Sequence, residues 1–167
     1  MDEDTRDVQL GLIAEISTLL EAEDLAHWLY GGWGIDFLVG AVTRDHHDID
    51  FVVWARDGAR VRALLEEHGY MWQFTRYTDE RHVFVKHDQR IDIDFIEQTG
   101  AGLIVTPGRW REWPGPECAF GEHTATLATI VCPVVSPEAQ LDPLGISFFS
   151  LMFLIFRNKE GEGWMGA

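Results

Sequence analysis

A chain of 167 residues that is 46% hydrophobic, with seven Trp and ten Phe, has the apolar mass for one folded domain and is not disordered. Its 28 acidic residues outnumber 13 basic ones, for a formal charge of −15; such a surface repels nucleic acid, which is not expected as a partner, and either attracts cations or serves solubility or salt adaptation. Cys118 and Cys132 are too few and too far apart for a disulfide framework or a metal cluster, and no apolar run reaches the roughly 20 residues that cross a bilayer.

With residues 1–7 acidic rather than signal-like, a cytoplasmic protein with no membrane partner is expected. Val8, Leu12, Ile16, Leu19 and Leu20 recur at helical spacing and predict an amphipathic helix over 7–23. AHWLY (26–30) predicts a strand stopped by Gly31-Gly32, and 33–39 a short helix closed by Gly40. DIDFVVW (48–54) predicts a second strand. Asp57 is placed to N-cap a helix that carries Val61, Leu64 and Leu65 and ends at Gly69. Residues 70–75 read as a strand, and 81–86 and 90–97 as a hairpin around His87-Asp88-Gln89. Further on, TPGRWREWPGPEC (106–118) is a Pro/Gly/Trp loop, 129–135 a last strand, and Ser136 the cap of a helix that opens PEAQL. The expected architecture is α+β, a small mixed β-sheet with helices packed against it.

Three stretches carry chemistry. LYGGWGID (29–36) sets a double glycine between a strand and a helix start. There, free backbone N–H groups and the positive helix end can face a phosphate closely; an ordinary Gly-Gly turn has the same pattern. In the second strand Asp48 and Asp50 are two apart and share one face, with Ile49, Phe51 and Val53 on the other. Such a pair fits a solvated strand end or a hard-cation site, since Mg2+ takes a couple of carboxylates together with phosphate oxygens. Arg90-Ile91-Asp92-Ile93-Asp94-Phe95 repeats the pattern, with Asp92 and Asp94 opposite Ile91, Ile93 and Phe95. If the two acidic faces coincide, four carboxylates converge, and metal ions or cationic ligands are expected to make that tolerable.

In chain order, Gly31-Gly32-Trp33, Thr43-Arg44, His46-x-Asp48-Ile49-Asp50 and a later strand bearing Asp92 resemble the nucleotidyltransferase superfamily of DNA polymerase β type. The pattern GGWGID…TR…DID is most similar to small antibiotic nucleotidyltransferases of the aminoglycoside 2'' and lincosamide kinds, over residues 5–97. VCPVVSPEAQL (131–141) is similar to the approach to that family's C-terminal helix. The resemblance implies a nucleotidyltransferase fold over residues 1–135. It implies that Asp48, Asp50 and Asp92 hold Mg2+ in a two-metal site. Gly31 and Gly32 would contact the phosphates of ATP or another nucleoside triphosphate, and Arg44 either joins them or is a surface arginine paired with a nearby acid. Asp92 would take the proton of the acceptor hydroxyl or share in metal binding, as a nucleoside monophosphate, AMP first, passes to that hydroxyl and pyrophosphate leaves. His46 is expected in a structural hydrogen bond or at the ligand, Trp33 packing the helix start, and Asp36 acting as a cap partner rather than a site wall.

Two residues beyond Asp92, the lincosamide type carries histidine and the aminoglycoside type an acid. Asp94 is therefore assigned to the acceptor and, with the charge of −15, points to a polycationic aminoglycoside. Chain length points instead to the lincosamide enzymes, which stay open as the alternative. A non-catalytic nucleotide-binding or toxin–antitoxin component on the same fold stays open too. Trp110 and Trp113 pack locally or stack on a sugar. Beyond Leu141 the chain leaves the family pattern, with SFFSLMFLIF and NKEGEGWMGA after SPEAQL, and residues 136–167 are taken as an appended segment. They are expected to form an apolar tail packed on the domain, or a contact for a homodimer.

Overall fold

The computed structural model describes residues 3–102, 104–107, 114–115 and 117–140. Helix α1 (Glu3–Ala22) buries Leu12, Ile13, Ile16 and Leu20. It begins before the apolar periodicity does, because Glu3 and Asp4 suit the positive helix end. Strand β1 (His27–Tyr30) leads directly into α2 (Gly31–Val39), which ends at Gly40 in the left-handed region (φ 77°). Strand β2 (Asp48–Trp54) has the expected bounds, and a 3-10 turn, Ala55–Asp57, joins it to α3 (Gly58–Glu67). Asp57 precedes α3, but its side chain makes no capping bond. The 3-10 turn gives Asp57 a helical conformation (φ −97°, ψ −8°), whereas a capping carboxylate needs extended backbone. Its oxygens lie instead 3.8 Å from Arg56 Nε and 4.0 Å from Arg60 Nη1.

Strand β3 is shorter than expected (Met71–Gln73), because residues 75–78 curl into a turn in which the Thr78 hydroxyl donates to the Thr75 carbonyl at 2.7 Å. Strands β4 (Arg81–Lys86) and β5 (Gln89–Gln98) form the hairpin. His87 (φ 51°) and Asp88 (φ 60°) make its two-residue left-handed turn, and Gln89 belongs to β5. Short strands β6 (Ile104–Val105) and β7 (Pro114–Gly115) continue from β5. Strand β8 (Thr124–Leu127), absent from the sequence expectation, pairs with β9 (Ile130–Pro133), which stands within the expected 129–135. Helix α4 (Pro137–Gln140) follows Ser136, whose Oγ accepts from the Ala139 N–H at 3.3 Å. Trp110, Trp113 and the chain beyond Gln140 lie outside the described residues.

The main sheet has the order β1-β2-β5-β4-β3; β2 and β5 are parallel and the other neighbours antiparallel. Side chains alternate across it. On one face Ile49, Phe51, Val53, Ile91, Ile93 and Phe84 are fully buried under α1, α3 and the β8–β9 hairpin. On the other, one end is covered by a smaller cluster that includes Trp28, Val52, Ile96, Val135 and Ala139. The remaining end carries the carboxylates. Among the described residues no helix is long and apolar enough to cross a membrane.

Candidate active site

Strands β2 and β5 run in register, Asp48 beside Arg90, Asp50 beside Asp92 and Val52 beside Asp94. The two acidic faces therefore coincide, and Asp48, Asp50, Asp92 and Asp94 stand on one side of the sheet. Strand β1 adds Tyr30 opposite Asp50, and β4 adds Arg81 opposite Asp94.

Asp50 is buried against the start of α2: its Oδ2 lies 2.5 Å from where a Cβ on Gly31 would stand. With φ at +66°, Gly31 is required twice over, by its backbone and by this approach. Burial, then the charges of Asp48, Asp92 and Asp94, push the Asp50 carboxyl well above the usual carboxylate range. Asp92 is fully buried and held by two arginines. Arg90 forks onto it, Nε to Oδ1 at 2.7 Å and Nη2 to Oδ2 at 2.9 Å, while Arg81 Nη1 donates to Oδ2 at 2.8 Å. Arg81 also pairs through Nε with Asp94 Oδ1 at 3.0 Å, and the Tyr30 hydroxyl donates to Asp94 Oδ2. Burial raises the Asp94 carboxyl despite Arg81 beside it. Burial likewise raises the Tyr30 phenol, reinforced by Asp94 and Asp50.

The expectation that metal or ligand cations alone relieve this face needs correcting: Arg81 and Arg90 do part of that work from within the sheet. Arg81 escaped sequence reasoning because its place depends on hairpin register. Once the turn is set at His87-Asp88, Arg81 falls opposite Asp94, and that signal was available.

Gly31 and Gly32 are the first residues of α2 rather than a turn ahead of it, so their N–H groups belong to the unpaired helix start. Asp36, fully buried one turn on, folds the following loop back over this end. It accepts from the Thr43 N–H (3.1 Å), the Thr43 hydroxyl (2.5 Å) and His46 Nε2 (2.6 Å). It therefore braces the loop and does not cap α2. His46 takes the structural hydrogen bond, and exposed Arg44, donating to the Asp45 carbonyl at 3.2 Å, lies with Nη2 2.6 Å from where a Cβ on Gly32 would stand. Trp33 is buried against the His46 ring at 4.5 Å, and its Nε1 donates to Gln9 Oε1 at 3.2 Å. Gln9 Nε2 in turn donates to Gln89 Oε1 at 2.8 Å. Sequence reasoning missed Gln9, although a polar residue one turn before Leu12 and Ile13 on the buried stripe was a visible signal.

Among the described residues no three His, Cys, Asp or Glu side chains stand grouped to hold a metal ion. What does fit is the Asp48–Asp50 pair. Four carboxylates against two guanidiniums leave this face a formal surplus of two negative charges beside a helix N-terminus. Hard oxygen donors of that number suit Mg2+, which commonly takes one or two carboxylates plus phosphate oxygens.

This mixed sheet with its packed helices is the nucleotidyltransferase fold. The lincosamide antibiotic adenylyltransferase LnuA with lincomycin bound superposes with a TM-score of 0.62 at 24% identity, covering 91% of this chain and 93% of that one. ANT(2'')-Ia in complex with adenylyl-2''-tobramycin does so with a TM-score of 0.68 at 18% identity, covering 93% and 80%. At these identities the likeness is one of fold. The sequence model described as aminoglycoside-2''-adenylyltransferase matches residues 12–143, most of the chain, and the protein belongs to that family. A lincosamide resistance protein of Staphylococcus haemolyticus is 42% identical over 55 residues, 33% of this chain and 34% of the relative. A 2''-aminoglycoside nucleotidyltransferase of Klebsiella pneumoniae is 29% identical over 102 residues, 61% of this chain and 49% of the relative. The chain thus spans about a third to a half of the length of these curated relatives.

Proposed function

We propose that this protein transfers a nucleoside monophosphate, AMP from ATP, to a hydroxyl of a cationic aminoglycoside-like antibiotic in the cytoplasm, releasing pyrophosphate. The observation that carries the reading is the convergence of four carboxylates on one sheet face beside the start of α2. Asp48 and Asp50 would hold Mg2+, with Asp92 as the third carboxylate; when bound, the metal neutralises triphosphate charge. The N–H groups of Gly31 and Gly32, with Arg44, bind the phosphates. The acceptor oxygen forms a bond to the α-phosphorus as the bond to pyrophosphate breaks, and Asp92 receives the hydroxyl proton. Asp94 holds the acceptor, an ammonium group being the natural partner of an acid on a surplus-negative face.

A lincosamide acceptor is the second reading, favoured by the 42% identical stretch shared with the staphylococcal protein. Incubation with labelled ATP, Mg2+ and a panel of both antibiotic classes tests the proposal. An adduct heavier by one AMP, with pyrophosphate, is expected from the native chain and not from Asp50→Asn. No adduct from any acceptor sinks the proposal, and a lincosamide-only adduct replaces the acceptor.

A further inference from the structure

We infer that Arg90 is a phosphate-responsive latch on Asp92: clasped to the carboxylate it masks it, and a nucleoside triphosphate on the α2 start draws Arg90 away and opens Asp92 Oδ1. The inference rests on the nucleotidyl-transfer reading and names a control built into the same site.

The two arginines on Asp92 are not equivalent. The Arg81 side chain is 10% exposed and anchored at both Asp92 and Asp94, so it is fixed in place. The Arg90 side chain is 44% exposed; among the described residues its fork hydrogen-bonds only to Asp92, with the Asp48 charge beside it. Oδ2 receives donors from both arginines, but Oδ1 is held by Arg90 Nε. If Arg90 leaves, Arg81 keeps Oδ2 and Oδ1 is released. Until then the lone pairs of Asp92 point at guanidinium N–H groups, and the adjacent positive charge repels a divalent cation.

Arg90 is also placed to answer phosphate. It pairs with Asp48 in register, and Tyr30, which pairs with Asp50, leads straight into Gly31, so the α2 start stands toward that end of the sheet, across β2 from Arg90. A guanidinium fork suits phosphate as well as carboxylate, so the exchange replaces one bidentate partner with another. Arg90 is the exposed partner of a pair whose carboxylate is fully buried, so a phosphate arriving from solvent meets its guanidinium first, and Arg81 stays on Asp92 when Arg90 turns away. Nucleotide binding and metal binding at Asp92 are then coupled, and by reciprocity each strengthens the other by the same factor.

The test is Mn2+ affinity, read from the EPR signal of free Mn2+, with and without a non-hydrolysable ATP analogue. For the native chain the analogue tightens Mn2+ binding. Arg90→Gln is expected to bind Mn2+ alone about tenfold more tightly than the native chain, an ordinary size for coupling between sites, with the gain from the analogue largely gone. The KM for ATP rises in that variant while the KM for the acceptor holds. Arg90→Lys, which fills the same space with one amine, is expected to fall between, and answers the question if Arg90→Gln folds poorly. Equal Mn2+ affinity in the native chain and both variants overturns the latch; if Asp50→Asn still abolishes Mn2+ binding, the nucleotidyl-transfer reading survives. Mn2+ binding unchanged by Asp50→Asn overturns both.

Discussion

The two faces of β2 and β5 are built from alternate residues of the same two stretches of backbone, and they do opposite things. Ile49, Phe51, Val53, Ile91 and Ile93 fill the core completely. Asp48, Asp50, Asp92 and Asp94 crowd like charges that two arginines only partly balance. One face lowers the free energy of the fold; the other raises it and holds the site. The apolar face also protects the polar one, because a one-residue slip of register would drive the carboxylates into the core.

That contrast can be broken most sharply at Asp50. Asp50→Asn is expected to lower kcat/KM on the order of 10⁴-fold, the scale of losing a metal-holding carboxylate. Its melting temperature should match or exceed that of the native chain, since a neutral amide replaces a carboxyl whose ionisation burial and the neighbouring acids oppose. A melting temperature that falls in step with activity would show the faces are not separable. Phe51→Ala, its neighbour on the opposite face, should cost about 3–5 kcal/mol in a urea titration, with nucleotide affinity retained by the folded fraction. Arg81→Ala should cost about 3 kcal/mol, because it leaves buried Asp92 and Asp94 without their shared partner. Arg81→Lys should recover part of that loss, and no loss in either variant would show that the pairing contributes nothing.

The smallest effect is in pH, where the faces should have opposite slopes. His27 lies on the apolar face, and burial lowers its pKa below 6.5, outweighing the Leu25 carbonyl contact and Glu21. The unfolded chain then takes up a proton that the folded one refuses. Stability is full above 6.5 and falls as pH drops through the lowered value, a loss that His27→Gln removes. Asp50 runs the other way. Its raised carboxyl keeps a proton that the unfolded chain has released, so stability falls as pH climbs from 3.8 through the raised value. Urea titrations at pH values spanning both windows should show each slope vanish in its own variant and persist in the other.

Much of this was legible because a strand reports its faces directly. The period of two in DIDFVVW and RIDIDF separates acid from core, and the hairpin polar turn fixes which strand arms meet. What stayed hidden depends on contacts far apart in sequence or on residues in uncharacteristic roles. Strand β8 was missed because Ala128 (φ 54°), not glycine, occupies the left-handed position of its turn, and its four residues are largely polar or exposed. The bracing role of Asp36 needs Thr43 and His46 folded back onto it, which no local pattern announces. Asp57 looked like a cap because the 3-10 turn ahead of it is silent in sequence.

The Gln9 side chain has a further consequence, one for the order of assembly. Its amide joins α1 to Gln89 across 80 residues and to the His46 carbonyl across 37, at 2.8 and 3.4 Å. The loop that carries His46 is therefore tied through Gln9 to β5, a link that is complete only when β5 has docked beside β2. Contacts of such long range close late, so the acidic end of the sheet is expected to be completed late and to loosen early when the hairpin opens, an order that hydrogen exchange of the His46 loop against α1 would read.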